Sequence, residues 1–168
     1  SATTEIVHAP AATPTDNDAA DAGAVYVFTR SSGVWAPQAY LKGSNAEADD
    51  RFGWSVDIEG DTIAVGANYE DSSSNTIVHS GGTIPANNSA ERSGAVYIFT
   101  RTAGVWTQQA YLKAAHPDEN DYFGYSVALS GNTLIVGVHM EDSDATGVNG
   151  DSSGSGVSAS GAAYVFLR

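Results

Sequence analysis

The 22 residues from Asp50 to Asp71, DRFGWSVDIEGDTIAVGANYED, return 71 positions later as DYFGYSVALSGNTLIVGVHMED, Asp121 to Asp142. Sliding the 168-residue chain by that offset aligns Ala24 to Asp71 with Ala95 to Asp142 without a gap, and 25 of these 48 positions are identical. A repeat this long restricts the fold to stacked copies of one supersecondary unit, because a single copy cannot bury its own apolar face. The offset reaches the start of the chain as well, where TEIVHAP (4–10) falls on NTIVHSG (75–81). A third copy begins at Ser143, loses four residues from its loop and stops at GAAYVFLR (161–168). The chain is therefore expected to comprise units 1–71 and 72–142 and a partial unit 143–168, within one structural domain.

Inside a unit the apolar residues alternate. AVYVFTR (24–30), VWAPQAYLK (34–42), FGWSVDI (52–58) and TIAVGAN (62–68) are rich in β-branched and aromatic residues and bounded by Gly, Ser, Asn and Asp, so each reads as a strand. SSG (31–33) and TAG (102–104) are hairpin-sized. Gly60-Asp61 and Gly131-Asn132 read as two-residue turns with glycine first. No segment keeps helical spacing.

Four antiparallel strands per repeat describe a propeller blade. The FG pairs (Phe52-Gly53, Phe123-Gly124), followed by VGAN (65–68) and VGVH (136–139) and by the GAVYVF strand, resemble the FG-GAP repeat of integrin-type β-propellers, in its long bacterial secreted or surface form. The resemblance covers nearly the whole chain. It implies an all-β fold of four-stranded antiparallel blades, about two of them, in an incomplete propeller. Within each blade it places the FG strand innermost, the VG strand second, the GAVYVF strand third and the Trp strand outermost. Two departures stand out: the proline of GAP is Asn68 or His139, and the calcium hairpin of integrin blades is replaced by EGDT or SGNT. That calcium site does not carry over.

With this strand order, loops 1–22, 43–51, 69–93, 114–122 and 140–160 share one face and carry 17 of the chain's 20 acidic residues. The two-residue turns set Asp50 opposite Asp71 and Asp121 opposite Asp142, with Glu70 and Glu141 adjacent. Facing like charges destabilise a sheet unless something neutralises them. These six carboxylates are the candidate metal ligands, and calcium, which takes six to eight oxygens, is the expected ion. The competing reading is that loop acids make local turns and lie in water.

The formal net charge of −13 has the wrong sign for a phosphate-backbone binder, so nucleic acid is not an expected partner. The absence of cysteine excludes disulfides, thiolate metal sites and a cysteine nucleophile. No apolar run approaches a membrane-helix length, and no leader-type block opens the sequence, so a mature product or an excerpt without membrane insertion is expected. The four histidines (His8, His79, His116, His139) are read as structural, and Trp35, Trp106, Trp54 and Tyr125 as blade-packing aromatics. No serine sits in a G-x-S-x-G elbow, and no carboxylate pair singles itself out for glycoside hydrolysis. Asn87 heads a formal glycosylation sequon.

The functional expectation is a non-enzymatic, extracellular or cell-surface module for adhesion or assembly, binding a protein partner or copies of itself, as a homo-oligomer or part of a longer tandem chain. Two alternatives stand beside it: a self-assembling filament or surface-layer subunit joined through unpaired edge strands, and a part of a carbohydrate-active enzyme.

Overall fold

The computed structural model describes residues 7–8 and 18–167. Its elements are β1 (Val7–His8), β2 (Val25–Ser31), β3 (Val34–Leu41), β4 (Ser55–Glu59), β5 (Thr62–Ala67), β6 (Val78–His79), β7 (Ala95–Thr102), β8 (Val105–Leu112), β9 (Ser126–Ser130), β10 (Thr133–Val138) and β11 (Ala162–Leu167). There is no helix among the described residues. Three separate antiparallel sheets form, ordered β1-β3-β2, β4-β5-β7-β8-β6 and β11-β10-β9. Among the described residues these are open sheets that do not close on one another, as expected of an incomplete propeller.

Sequence repeat and structural blade are out of phase. The middle sheet takes β4 and β5 from the first unit and β7 and β8 from the second, so the boundary at residue 71 falls inside a blade. The inner, second, third and outer order expected from the FG, VG, GAVYVF and Trp strands is the order observed. The first sheet holds a third and an outer strand, and the last an inner, a second and a third. Two elements were not foreseen. The IVH segments of the long loops form two-residue strands, β1 and β6, added outside β3 and β8. They are too short for any alternation to mark them.

The hairpin turns have the expected register. Glu59 pairs Thr62 and Ser55 pairs Gly66, around Gly60 at φ +58°. The inner strands begin later than predicted, however, because the chain bends at Phe52 to Trp54. Phe52 leaves the ladder and bridges Gly23 of the first sheet, as Phe123 bridges Gly94 of the middle one. At Gly94 a Cβ would lie 2.1 Å from the Phe123 carbonyl oxygen, so the glycine before each AVYVF-type strand admits the next blade's FG segment. Gly66 does the same between inner strands, where a Cβ would lie 2.1 Å from the Gly124 carbonyl oxygen.

Two cores hold the three sheets together. Val27 and Leu41 of the first sheet pack with Ile63, Val65, Phe99 and Trp106 of the middle one. Val96, Ile98 and Leu112 on the opposite face of the middle sheet pack with Leu134, Val136 and Val138 of the last. The two interfaces are repeats of each other, in line with the alternation of side chains across a strand. The β2/β3 and β7/β8 ladders each shift register between the third and fourth pairs, at Val27/Phe28 and Ile98/Phe99. The extra residues are Gln38 and Gln109, and such bulges re-aim a side chain.

Candidate functional site

Two of the acidic loops, 43–51 and 69–93, meet at the end of the middle sheet through Glu70, three positions past β5. Its carboxylate is 3% exposed. Lys113, just after β8, donates its ammonium to Glu70 Oε2 at 2.9 Å and to Ser93 Oγ at 2.8 Å. The Tyr111 hydroxyl donates to Oε1 at 2.8 Å, Asn45 Nδ2 to the same oxygen at 3.1 Å, and the Ser72 N–H to Oε2 at 3.2 Å. Asn45 Oδ1 in turn accepts from the Tyr97 hydroxyl at 2.7 Å. Asn45 belongs to the loop leading out of the first sheet, so the network ties two blades together under the acidic face.

Burial governs the electrostatics. It pushes the Lys113 ammonium below its usual range, with the Glu70 carboxylate pulling the other way. It pushes the Tyr97 and Tyr111 hydroxyls upward, reinforced by the Glu70 charge. Asp50 rises to about 7, first from burial and then from the charges of Glu70, Glu47 and Asp71, against a lowering bond from the Glu47 N–H. Asp121 rises to about 6, first from burial, with Asp118, Glu141 and Asp142 adding to it. A buried ion pair is strongly destabilising to break because it strands the surviving charge. Lys113 therefore supplies the positive charge that meets Glu70 in the middle blade.

The six predicted ligands are placed as follows. The ladder stops at Ser55 and Gly66, and beyond it the Tyr69 N–H donates to the Asp50 carbonyl. The expected facing pair, Asp50 and Asp71, is thus not part of the ladder, although the two remain within electrostatic reach. Asp50 Oδ2 accepts from the Glu47 N–H at 2.7 Å, and Asp71 Oδ1 from the Arg92 N–H at 2.7 Å. In the last blade Asp121 Oδ2 accepts from the Asp118 N–H at 3.1 Å, Asp142 Oδ1 from the Ala159 N–H at 2.6 Å, and Glu141 Oε2 from Ser143 Oγ at 3.0 Å. Among the described residues, no group of three or more His, Asp or Glu side chains is arranged to hold a metal ion. Each of the six carboxylates instead accepts from donors of the chain itself: backbone N–H groups, side-chain hydroxyls, the Asn45 amide or the Lys113 ammonium.

Sequence reasoning missed Lys113, Tyr111, Asn45 and Ser93. The signal for the first two was the identical YLK at 40–42 and 111–113, which read only as strand. The aromatic assignments divide. Trp106 is 0% exposed, whereas its repeat-equivalent Trp35 is 65% exposed on the first sheet. Trp54 and Tyr125 meet between the middle and last blades, with ring centroids 5.8 Å apart, yet they remain 48% and 40% exposed. Tyr69, Tyr122 and His139 continue this aromatic surface, and the Arg51 guanidinium lies 3.6 Å over the Tyr69 ring.

A family model described as FG-GAP repeat matches residues 35–99 and 106–166. No curated protein and no solved structure matches the chain.

Proposed function

The chain belongs to the FG-GAP repeat family, whose repeats form β-propeller-type protein-interaction modules, and from that premise we propose that it works outside the cell or on its surface in adhesion or protein assembly. The observation that carries the reading is the contrast between the middle sheet and its neighbours. Tyr97, Phe99 and Trp106 are buried against the first sheet, while their equivalents Tyr26, Phe28 and Trp35 are 55%, 52% and 65% exposed. On the last sheet, Ile135 and Val165 are 46% and 63% exposed where Ala64 and Ile98 are buried. Large apolar faces of this kind mark interaction surfaces. The acidic composition and the surface habit of such repeats support the extracellular setting. The reading assigns no catalytic step to the chain.

A second reading, open-ended self-assembly, has its own support. The exposed faces of the first and last sheets are the two halves of the interface that the chain repeats internally. A heterologous contact of that type grows a filament unless it closes. Sedimentation velocity across a wide concentration range tests both readings. Association that Trp35→Glu abolishes supports an interaction face on the first sheet, and mass that keeps growing with concentration supports the filament. A monomer at every concentration overturns self-assembly. Failure of the protein to adhere to any cell or protein-coated surface, with Trp35→Glu making no difference, overturns the adhesion reading.

A further inference from the structure

Glu70 holds two nitrogens of different chemistry on its two carboxylate oxygens. The Lys113 ammonium donates to Oε2 at 2.9 Å, and the side-chain amide of Asn45 donates to Oε1 at 3.1 Å. A lysine amine is a nucleophile once it has given up a proton, and the carbon of a carboxamide is an acyl electrophile. One carboxylate thus bridges a nucleophile and the nitrogen that its attack would release. Both contacts lie within the reach that proton transfer needs.

The neighbouring groups hold this arrangement in place. Lys113 Nζ also donates to Ser93 Oγ at 2.8 Å, while the Ser72 N–H and the Tyr111 hydroxyl, at 3.2 Å and 2.8 Å, fix the two Glu70 oxygens. The Tyr97 hydroxyl donates to Asn45 Oδ1 at 2.7 Å. A donor on a carbonyl oxygen draws charge from the adjoining carbon and stabilises the oxyanion that forms when that carbon is attacked. Lys113, Glu70, Tyr97 and Tyr111 are buried, so water is kept from competing for the acyl carbon. Asn45 is only half-buried, which leaves ammonia a way out. Every group of the set lies between residues 45 and 113, and the set is complete within the chain.

We infer that Lys113 and Asn45 join in an amide cross-link between their side chains, with Glu70 carrying the protons. Lys113 gives one proton to Glu70, and the freed amine attacks Asn45 Cγ. A second proton then moves from Nζ to Nδ2 by way of the carboxylate. The Nζ–Cγ bond forms, the Cγ–Nδ2 bond breaks, and Nδ2 leaves as ammonia, which takes the first proton from Glu70 as it departs. No oxidant and no cofactor is consumed. Holding both reactants on one carboxylate supplies the proximity that makes an otherwise slow amide exchange feasible.

The product ties the loop after β3 to the residue that follows β8, and so joins the first blade to the middle one through a covalent bond. A chain without cysteine has no disulfide with which to do this. The cross-link is independent of what the module binds.

The test is the mass of the full chain, denatured and intact, followed by mapping of its tryptic peptides. A mass about 17 Da below that of the sequence is expected, the loss of one ammonia, together with a branched peptide that joins Asn45 to Lys113. Asn45→Asp releases water instead of ammonia and is expected to reach the same final mass as the wild type. Asn45→Ala and Glu70→Gln are expected to keep their full masses. An unshifted wild-type mass, with Asn45 and Lys113 in separate peptides, overturns the inference. An asparagine that cyclises onto its own backbone also loses ammonia, but it gives no branched peptide, and that outcome overturns the inference as well. The branched peptide is sought in the wild type, so the result stands even if Glu70→Gln fails to fold.

Discussion

The middle and last blades carry the same glutamate, serine and tyrosine at the same strand ends, yet one set is neutralised and the other is not. Glu70 has Lys113, Tyr111 and Asn45 as donors, while Glu141 has Ser143. The difference is one strand. Position within a repeat sets which groups a blade contains, and the presence of a neighbouring strand sets whether their burial is satisfied.

The sharpest way to break that comparison is to remove each carboxylate in turn. Glu70→Gln strands the Lys113 ammonium in the interior and is expected to cost about 3–5 kcal/mol. Glu141→Gln strands nothing and is expected to cost under about 1 kcal/mol. Urea unfolding of the two variants reads the contrast directly, and equal losses would deny Lys113 its part. The tryptophans form the next pair. Trp106→Ala empties a filled core site and should cost about 3–5 kcal/mol. Trp35→Ala, on the exposed face beside Arg30, should cost about 0.5 kcal/mol.

A pH series sharpens the electrostatic side. The Asp50 carboxyl is raised from 3.8 to about 7 in the fold, so between those values the folded state binds the proton that the unfolded state has lost. Its contribution to stability is intact below the ordinary carboxylate range and is lost as pH rises toward 7, at up to about 1.4 kcal/mol per pH unit. Asp121, raised to about 6, loses its contribution over a narrower window. The stability difference between the wild type and Asp50→Asn, from urea midpoints at several pH values, should therefore shift in favour of the asparagine variant up to about pH 7 and then level off. The same curve for Asp121→Asn should level off near pH 6.

A further expected effect concerns calcium. With Glu70 held by Lys113, an added cation would find carboxylates that meet no lysine among the described residues in the last blade, at Asp121, Glu141 and Asp142, although these are not grouped as a ready-made site. At ten times its Kd an ion contributes about 1.4 kcal/mol. Melting curves with calcium and with chelator measure this, and Asp142→Ala should remove the shift while Asp71→Ala leaves it. A shift abolished by Asp71→Ala instead would return the ion to the middle blade.

Much of the architecture was legible because its causes are local. The alternation in AVYVFTR and TIAVGAN, the turn glycines and the repeat offset are properties of neighbouring residues, and the strands and their order followed from them and from the family resemblance. The bend at Phe52 was not legible, because FGWSVDI alternates like a strand throughout; only the approach of Gly23 from another sheet draws Phe52 out of the ladder. Lys113 was overlooked because a lysine at a strand end ordinarily points into water, and nothing local marks this one as fully buried.

The sequence by itself determined that this is a repeated all-β chain, which residues alternate inward, and how acidic its loops are, since these depend on composition and spacing alone. Only the tertiary structure decided that a blade straddles the repeat boundary and that Trp106 is core while Trp35 is surface. It also decided that Glu70 is neutralised by a lysine 43 positions away, while Glu141, in the same EDS tripeptide, accepts from Ser143. Burial and charge pairing are set by which strand lies alongside, and that neighbour is distant in the chain.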